Sequence, residues 1–595
     1  MAERTFGWVQ EAYTITSLKD CVSVFVRGSE IHDLLVEDKI PRLVAVRHGR
    51  DEFLRELTEG DEIVIPYGHL KGKGNVEGST RATAPCTGIF QAALKGQRKE
   101  YQSDWPADSY ARWAVSVGFL NYDRATDSCS ITELGEEFVL TETGSDEENE
   151  ILIKAFGKNP PIVRVMDLLA TKGRLTKFEI GQKLGFKSEA GFTSIPQKFL
   201  LQMVHDEPEN RNKFLSDTEG TSDKYARTIC GWLIKAGWVV QIPKEVTEEL
   251  NGNVYTETLS QAYEITAKGL TALRKMRGES RHARVPYKVF WEMLSSKPAD
   301  RSYIRNRRAE IINYIKTGYR SVDEIYSMLQ RKGYEESREI VEEDLKGLSN
   351  IGMHVLSNRN TYRIADYVEG LVIPAEAVGA ATSDTSVIKN SLRERLSCVN
   401  HDYLVLIDLA YDGNSNRDFE FKTAEFLTDE LGFEGARLGD TRKPDVCVYE
   451  GRNGLIIDNK AYSRGYSLSM HQADEMIRYI EENKARDRNL NPNMWWEIFP
   501  ATVSDYGYSF VSSEFVGGFQ DRLDYINSRT RYDGSCVSAM NMLLLGEKVL
   551  NGDIDRAGFF SSLKCNTELR FNAYEIEPDY GLQMVAENTD WRYDE

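Results

Sequence analysis

The sequence predicts a multidomain protein, with mainly α winged helix-turn-helix subdomains followed by a separate α/β domain. Its length, a recurring helix-and-strand pattern and a late change of texture predict this. The chain has 595 residues, and at roughly 150 residues per domain about four units are expected. Residues 105–135 carry WPADSYARWAVSVGFLNY and then SITELGEEF; residues 223–270 carry DKYARTICGWLIKAGWVVQI and then YEITAKGL. After Val372 the chain passes through the small, polar IPAEAVGAATSDTSV into strands rich in β-branched and aromatic residues, such as DVCVYE, GLIIDNKAY and YSFVSS.

Each copy of the repeat is an amphipathic helix bearing a Trp (Trp113, Trp232), stopped by a Gly five residues on (Gly118, Gly237). An aromatic extended segment follows, and Ile-Thr-x-x-Gly opens the next helix. These units mark a first subdomain at 1–150 and a second at 151–281, the latter beginning with two helices around a turn at Thr171 to Leu175. A third, at 282–370, reads as RRAEIINYIKTG ending near Gly318, SVDEIYSMLQRKGY capped by Ser321, SREIVEEDLKGLSNIG capped by Ser337, and a hairpin turning at Asn358 to Asn360. Three helices and a hairpin make a winged helix-turn-helix, which in tandem beside a basic stretch points to DNA. A linker is expected at 371–387 and the α/β domain, with an acidic C-terminal extension, at 388–595.

The formal net charge is -19, but it is unevenly spread. From Thr271 to Arg320 there are thirteen Lys or Arg against four Asp or Glu, a window expected to attract phosphates. Glu133 to Glu150 holds eight acidic residues and no basic one, and Glu575 to Glu595 seven against the single Arg592; these read as a solvated loop and a polar tail. Eight cysteines with no CxxC pair argue for reduced thiols in the cytoplasm and against a zinc knuckle. No run of eighteen apolar residues could span a bilayer, so no membrane is expected. GHLKGKGNVEG lacks the GK[ST] of a phosphate loop, and neither a Gly-x-Ser-x-Gly elbow nor HExxH is present.

Within RKPDVCVYEGRNGLIIDNKAY, Asp445 opens one strand, Gly451 to Gly454 supplies the turn, and Asp458, Asn459 and Lys460 close the returning strand. Paired about its centre, such a hairpin sets Asp445 and Asp458 nearly opposite, with Cβ atoms about 4.5–5.5 Å apart. Two carboxylates and the Asn459 carbonyl suit a hard, oxygen-seeking cation such as Mg²⁺, with room left for water and a phosphate oxygen. Residues two apart on a strand share a face, so Lys460 points into the same space as Asp458 and can stabilise charge on a phosphorane or act on the attacking water. In the preceding helix, DFEFKTAEFLTDELGF, Glu425 and Glu420 compete as an outer carboxylate; Glu425, nearer the apolar stripe, is preferred.

Segments RTFGWVQ, TRATAPC, GFTSIP, EGTSDKYAR, RKPD, Asp-x-Lys, AYSRGY and QADEMIRYIEEN, in that order, give the chain a resemblance to the FokI-like Type IIS restriction endonucleases over nearly its whole length. The resemblance implies recognition subdomains that contain helix-turn-helix units, a PD-(D/E)XK cleavage domain, the asymmetric target GGATG, Mg²⁺, and Asp445, Asp458 and Lys460 as catalytic residues. It implies base contacts from Arg81, Trp105, Glu219 and Lys224, chemically apt because Arg and Lys donate to guanine while Glu accepts from cytosine. Ser216 and Asp217 stand where the family has an Asn-Asn pair, a departure at the centre of the target. The resemblance also implies pairing with a second copy of the chain through Asp474 and Arg478, which sit one helical turn apart, and a companion DNA methyltransferase that forms no stable complex. A DNA-binding regulator with an inactive nuclease-like domain is the alternative; the intact Asp445, Asp458 and Lys460 weigh against it.

Overall fold

The computed structural model describes residues 5–571 except Asn75, Arg81, Ser280, Arg281, Pro298, Ala299, Gly370, Asp440 and Thr441. Arg81 and the acidic C-terminal stretch therefore lie outside the described residues. The architecture is that of helical subdomains with small sheets, followed by a mixed six-stranded sheet covered by helices.

The two repeats fold alike and pack on one another through the residue that defines them. In the first, α1 (Asp104–Ser116) leads to β1 (Leu120–Asp123) and β2 (Ser128–Ile131). The second contains α2 (Pro160–Lys172), α3 (Lys177–Gly181), α4 (Gln197–Asp206), α5 (Arg211–Asp217) and α6 (Thr221–Lys235). Trp113 of α1 and Trp232 of α6 stack with ring centroids 4.2 Å apart and planes 13° from parallel. In both copies the Thr of Ile-Thr-x-x-Gly caps the next helix, Thr132 and Thr266 accepting from the N–H of Gly135 and Gly269 at 3.0 Å. A Cβ on Gly135 would lie 2.2 Å from the Phe119 carbonyl oxygen, and one on Gly269 2.1 Å from that of Trp238, so close backbone approach dictates both glycines. A long hairpin, β3 (Lys244–Leu250) and β4 (Asn253–Leu259), is inserted in the second copy.

The third unit has α7 (Arg301–Ile315), α8 (Val322–Arg331), α9 (Arg338–Asn350) and a wing of β5 (Val355–Asn358) and β6 (Thr361–Ile364). Ser321 forms a reciprocal capping box with Glu324, whereas Ser337 occupies the cap position of α9 without a side-chain bond. Arg359 and Asn360 turn the wing at φ +46° and +62°.

Two charge readings are corrected. The acidic stretch at 133–150 is mostly helix, Glu133–Leu140 and Asp146–Gly157, because acidic residues in a first turn favour the helix dipole. Part of the basic window is internal. Arg305, Arg307 and Arg308 are buried, Arg307 and Arg308 both meeting Asp344 at 2.8 and 2.6 Å, while Arg277 pairs with Asp167 and Arg284 with Asp366. These pairings are with carboxylates of the same subdomain, and Arg308 also reaches Glu189 of the second.

The C-terminal α/β domain opens with α10 (Asp384–Arg395), which begins inside the segment read as linker. It continues with α11 (Asn416–Glu425), β7 (Glu434–Arg437), β8 (Val446–Glu450), β9 (Asn453–Lys460), α12 (Met470–Ala485), β10 (Asp505–Ser512), α13 (Phe519–Thr530), β11 (Gly534–Ser538), α14 (Ala539–Leu550) and β12 (Thr567–Leu569). The strands run in sequence order, β7, β8 and β9 antiparallel and β9 to β12 parallel. Alternation along β8 and β9 divides the core: Val446, Val448, Leu455 and Ile457 pack with α11 and α14, and Cys447, Tyr449 and Ile456 with α12 and α13. The first of these cores continues into Phe199, Leu200 and Met203 of α4, so the α/β domain is docked on the second subdomain. Among the described residues no helix is long and apolar enough to cross a membrane.

Candidate active site and DNA-reading residues

Val446 pairs with Ile457 and Glu450 with Asn453, so the hairpin turns at Gly451 and Arg452 and its register, carried one pair on, sets Asp445 opposite Asp458. The charge of Asp458 bears directly on Asp445. Asp445 also accepts from the Asn459 N–H at 2.7 Å, and Lys460 Nζ lies 2.8 Å from Asp458 Oδ1. Burial, then the charges of Asp458 and Glu420, push the Asp445 carboxyl well above its ordinary value. Burial alone would lower the Lys460 ammonium; Asp458 and Asp445 outweigh it and hold the group above its ordinary value. Two buried, mutually repelling acids are a donor set that a divalent cation fits, since its charge relieves both.

The outer carboxylate is corrected. Glu425 turns to Lys422 at 2.9 Å, and its charge bears on Lys198 and Lys187 of the recognition half. Glu420 is the helix residue whose charge reaches Asp445, and Arg437 at the end of β7 holds it at 2.7 Å. At 3.6 residues per turn a separation of five residues rotates about 140° around the helix, so the two could not share a face. Thr423, three residues from Glu420 and on its face, accepts from Asn459 Nδ2 at 2.8 Å. That i, i+3 relation was readable in the sequence; Arg437 was not, because the β7 strand had to be placed first.

On α12, Asp474 accepts from Tyr525 Oη at 3.2 Å, and Arg478 faces Glu475 at 3.1 Å and Glu482 at 3.7 Å. Each thus turns to a different local partner. Among the residues implied for base contact, Trp105 is 47% exposed in the first turn of α1. Lys224 is half-buried in the first turn of α6, and each stands eight residues before its repeat's tryptophan, so the two occupy equivalent places. Ser216 and Asp217 end α5, Ser216 Oγ donating to Asp217 Oδ1 at 2.6 Å, and Arg417 of the nuclease domain donates to the Asp217 carbonyl at 3.1 Å. Glu219 is sealed by Lys177 at 2.6 Å and Arg227 at 2.9 Å; burial would raise its carboxyl, and these cations bring it below its ordinary value. Glu52, Glu56 and His69 also converge closely enough to hold a metal, but in the first recognition subdomain, not beside the hairpin.

Comparison with known proteins accounts for nearly the whole chain. Family models match the FokI recognition domain, subdomain 1, at 4–141, subdomain 2 at 148–280, the D3 domain at 294–360 and the cleavage domain at 382–570. The chain is 38% identical to the Type II restriction enzyme FokI of Planomicrobium okeanokoites over 562 residues, 93% of this chain and 96% of that one. It is 29% identical to StsI of Streptococcus sanguinis over 560 residues, 91% and 92% of the two chains. Solved structures of FokI, free and bound to DNA, superpose with TM-scores of 0.89 and 0.90 at 36% identity, covering 96% of this chain and 100% of theirs. With its helical recognition subdomains and its α/β cleavage domain, the chain belongs to the FokI family of Type IIS restriction endonucleases.

Proposed function

We propose that this endonuclease reads an asymmetric duplex sequence containing GGATG and hydrolyses both strands at a fixed distance to one side with Mg²⁺, in a bacterial cytoplasm whose own DNA a companion methyltransferase protects. The observation that carries the cutting assignment is the pair Asp445 and Asp458, set opposite by the hairpin register, with Lys460 Nζ 2.8 Å from Asp458. Asp445, Asp458 and the Asn459 carbonyl would hold Mg²⁺, which when bound supplies Lewis-acid stabilisation and makes water a better nucleophile. Lys460 donates to the phosphoryl oxygen on which negative charge builds as water adds and the ester oxygen leaves. Glu420 and Arg437 fix α11 against β7 and so hold the wall of the site.

One such site cannot address two antiparallel strands in one pose, so a second copy is required. Asp474 and Arg478, exposed and half-buried on α12, would leave Tyr525, Glu475 and Glu482 to meet the same two residues across a two-fold axis. In the unbound chain the nuclease domain is held back. Thr193 donates to Asp418 at 2.8 Å, Asn251 clasps both backbone groups of Gly435 at 2.6 and 3.2 Å, and Arg417 engages the Ser216 to Glu219 segment. Reading DNA with that segment competes with docking. Digesting a mapped plasmid with and without Mg²⁺ and sequencing both ends of every product tests target, offset and metal together. Metal-independent cutting, or ends with no common upstream sequence, would overturn the reading.

A further inference from the structure

The loop leading to Asp445 is held from two sides in two different ways. Its backbone belongs to the nuclease domain: Asn491 Nδ2 donates to the Arg442 carbonyl at 2.9 Å and Tyr479 Oη to the Lys443 carbonyl at 2.8 Å. The N–H groups of Gly439 and Leu438 donate to the carbonyls of Pro444 and Asp445 at 2.9 and 2.8 Å. Successive carbonyls from 442 to 445 are thus fixed by groups that travel with the domain. The Lys443 side chain is held from outside. Its ammonium pairs with Glu207, just past the end of α4 in the second recognition subdomain, and its charge also bears on Asp206. The side chains of Lys443 and Glu207 are only 13% and 23% exposed.

We propose that Lys443 is a phosphate-binding residue of the cleavage reaction, and that Glu207 takes the place of the DNA backbone on its ammonium while the domain is docked. This rests on the reading of Asp445 and Asp458 as the cutting site. An ammonium on an ordered loop, stripped of its carboxylate partner by undocking, is a point charge with three donors seeking an anion. It stands two residues from Asp445, and the anion brought to that site in the reaction is the phosphodiester. Because the backbone bonds given for 438, 439 and 442–445 lie within the nuclease domain, undocking frees the charge while those bonds persist. The same lysine then serves restraint in the free chain and substrate binding in the released one.

The two roles separate in a charge exchange. Cleavage of a plasmid that the wild-type chain cuts is measured in single turnover, with gel-shift binding to the same DNA, for Lys443→Gln, Lys443→Arg, Glu207→Gln, and Glu207→Lys combined with Lys443→Glu. Lys443→Gln is expected to cut about tenfold or more slowly, as for a lost charge-assisted hydrogen bond, with site binding unchanged within about twofold. Lys443→Arg keeps most of the rate, and Glu207→Gln cuts at least as fast as wild type. The exchange rebuilds the ion pair with its signs reversed, restoring docking but leaving no cation on the loop, and it should cut as slowly as Lys443→Gln. Cutting by the exchange at the wild-type rate would show that Lys443 only docks, and wild-type cutting by Lys443→Gln would overturn the proposal outright. Should the exchange fold poorly by thermal melt, Lys443→Gln against Lys443→Arg decides: equal rates refute a charge-dependent role. Asp458→Ala, run alongside, reports separately on the cutting site, since its failure to abolish cleavage would remove that reading whatever Lys443 does.

Discussion

Two clusters of buried charge in this chain are built to opposite ends. Where the third recognition subdomain meets the second, Arg307 and Arg308 converge on Asp344 of their own subdomain, with Glu336 on Arg307 at 2.7 Å and Glu189 of the second subdomain on Arg308. Each guanidinium is met by carboxylates, and burial is compensated within the protein. In the nuclease hairpin Asp445 and Asp458 face each other with Glu420 behind them, and the contacting cation, Lys460, touches Asp458. There Lys460 meets Asp458 and Arg437 meets Glu420, while Asp445, beside both acids, is held well above its ordinary value. The difference teaches that a charge cluster is a joint where its demands are met internally and a site where they are not. Charge counted along the sequence does not separate the two: the arginines lie within four residues of one another, while their acids come from positions 189, 336 and 344.

Removing a carboxylate from the hairpin should have the largest effect on function. Asp458→Ala or Asp445→Ala is expected to slow cutting by about a thousandfold or more, since a bound metal contributes several kcal/mol to the transition state. Specific binding should persist, because the recognition subdomains are untouched. Cleavage assays beside gel-shift titration check both halves of the statement. The opposite pattern is expected at the joint. Asp344→Ala removes the carboxylate shared by two buried guanidinium groups, leaving each with one acidic partner, a loss of about 3 kcal/mol in stability. Thermal melting should detect it, while the folded fraction at low temperature still cuts. If Asp344→Ala instead abolished cutting without destabilising the protein, the division between joint and site would fail.

Much of this was legible in the sequence, and the reason differs from place to place. Repeat units, wing and nuclease strands depend on local periodicity, capping and turns, and Asp445 and Asp458 come together because a hairpin register is itself local. Lys460 follows from strand alternation. Glu420 was passed over for Glu425 because hydrophobicity along one helix does not say which edge faces the sheet; only the place of Arg437 and Asn459 does. The basic window misled for the same reason on a larger scale. Its acidic partners are distant in sequence, so burial of Arg305, Arg307 and Arg308 is a tertiary fact.

A smaller effect separates the reading residues from one another. Lys224, in the first turn of α6, is expected to contact a base edge, and Lys224→Ala should cost about 1–3 kcal/mol on the specific site and much less on random duplex. Competition titration at one fixed salt concentration is required, because phosphate contacts make affinity salt-dependent. Equal losses on both DNAs would move Lys224 to the phosphate backbone. Glu219, locked between Lys177 and Arg227, belongs with the joints in the free chain.

The smallest expected effect is a pH dependence of docking. His401 of the nuclease domain lies 3.0 Å from Glu343 on α9, and Arg393 of α10 reaches the same carboxylate at 2.8 Å. The bond to Glu343 raises the imidazole above its ordinary value against the opposing pull of burial. A group raised in the docked state contributes fully below its free value, about 6.5 for histidine, and the contribution is lost as pH climbs through the raised one. Docking should therefore slacken as the solution passes from mildly acidic toward alkaline. Arg393 keeps its charge throughout, so the domain remains tethered at Glu343 rather than falling away. Small-angle scattering of the free protein across this range should show a modest expansion on raising the pH, and His401→Gln should flatten the dependence while leaving Mg²⁺-dependent cutting of pre-bound DNA intact. An unchanged slope in His401→Gln would place the pH response elsewhere, and a contraction on raising the pH would reverse the sign argued here.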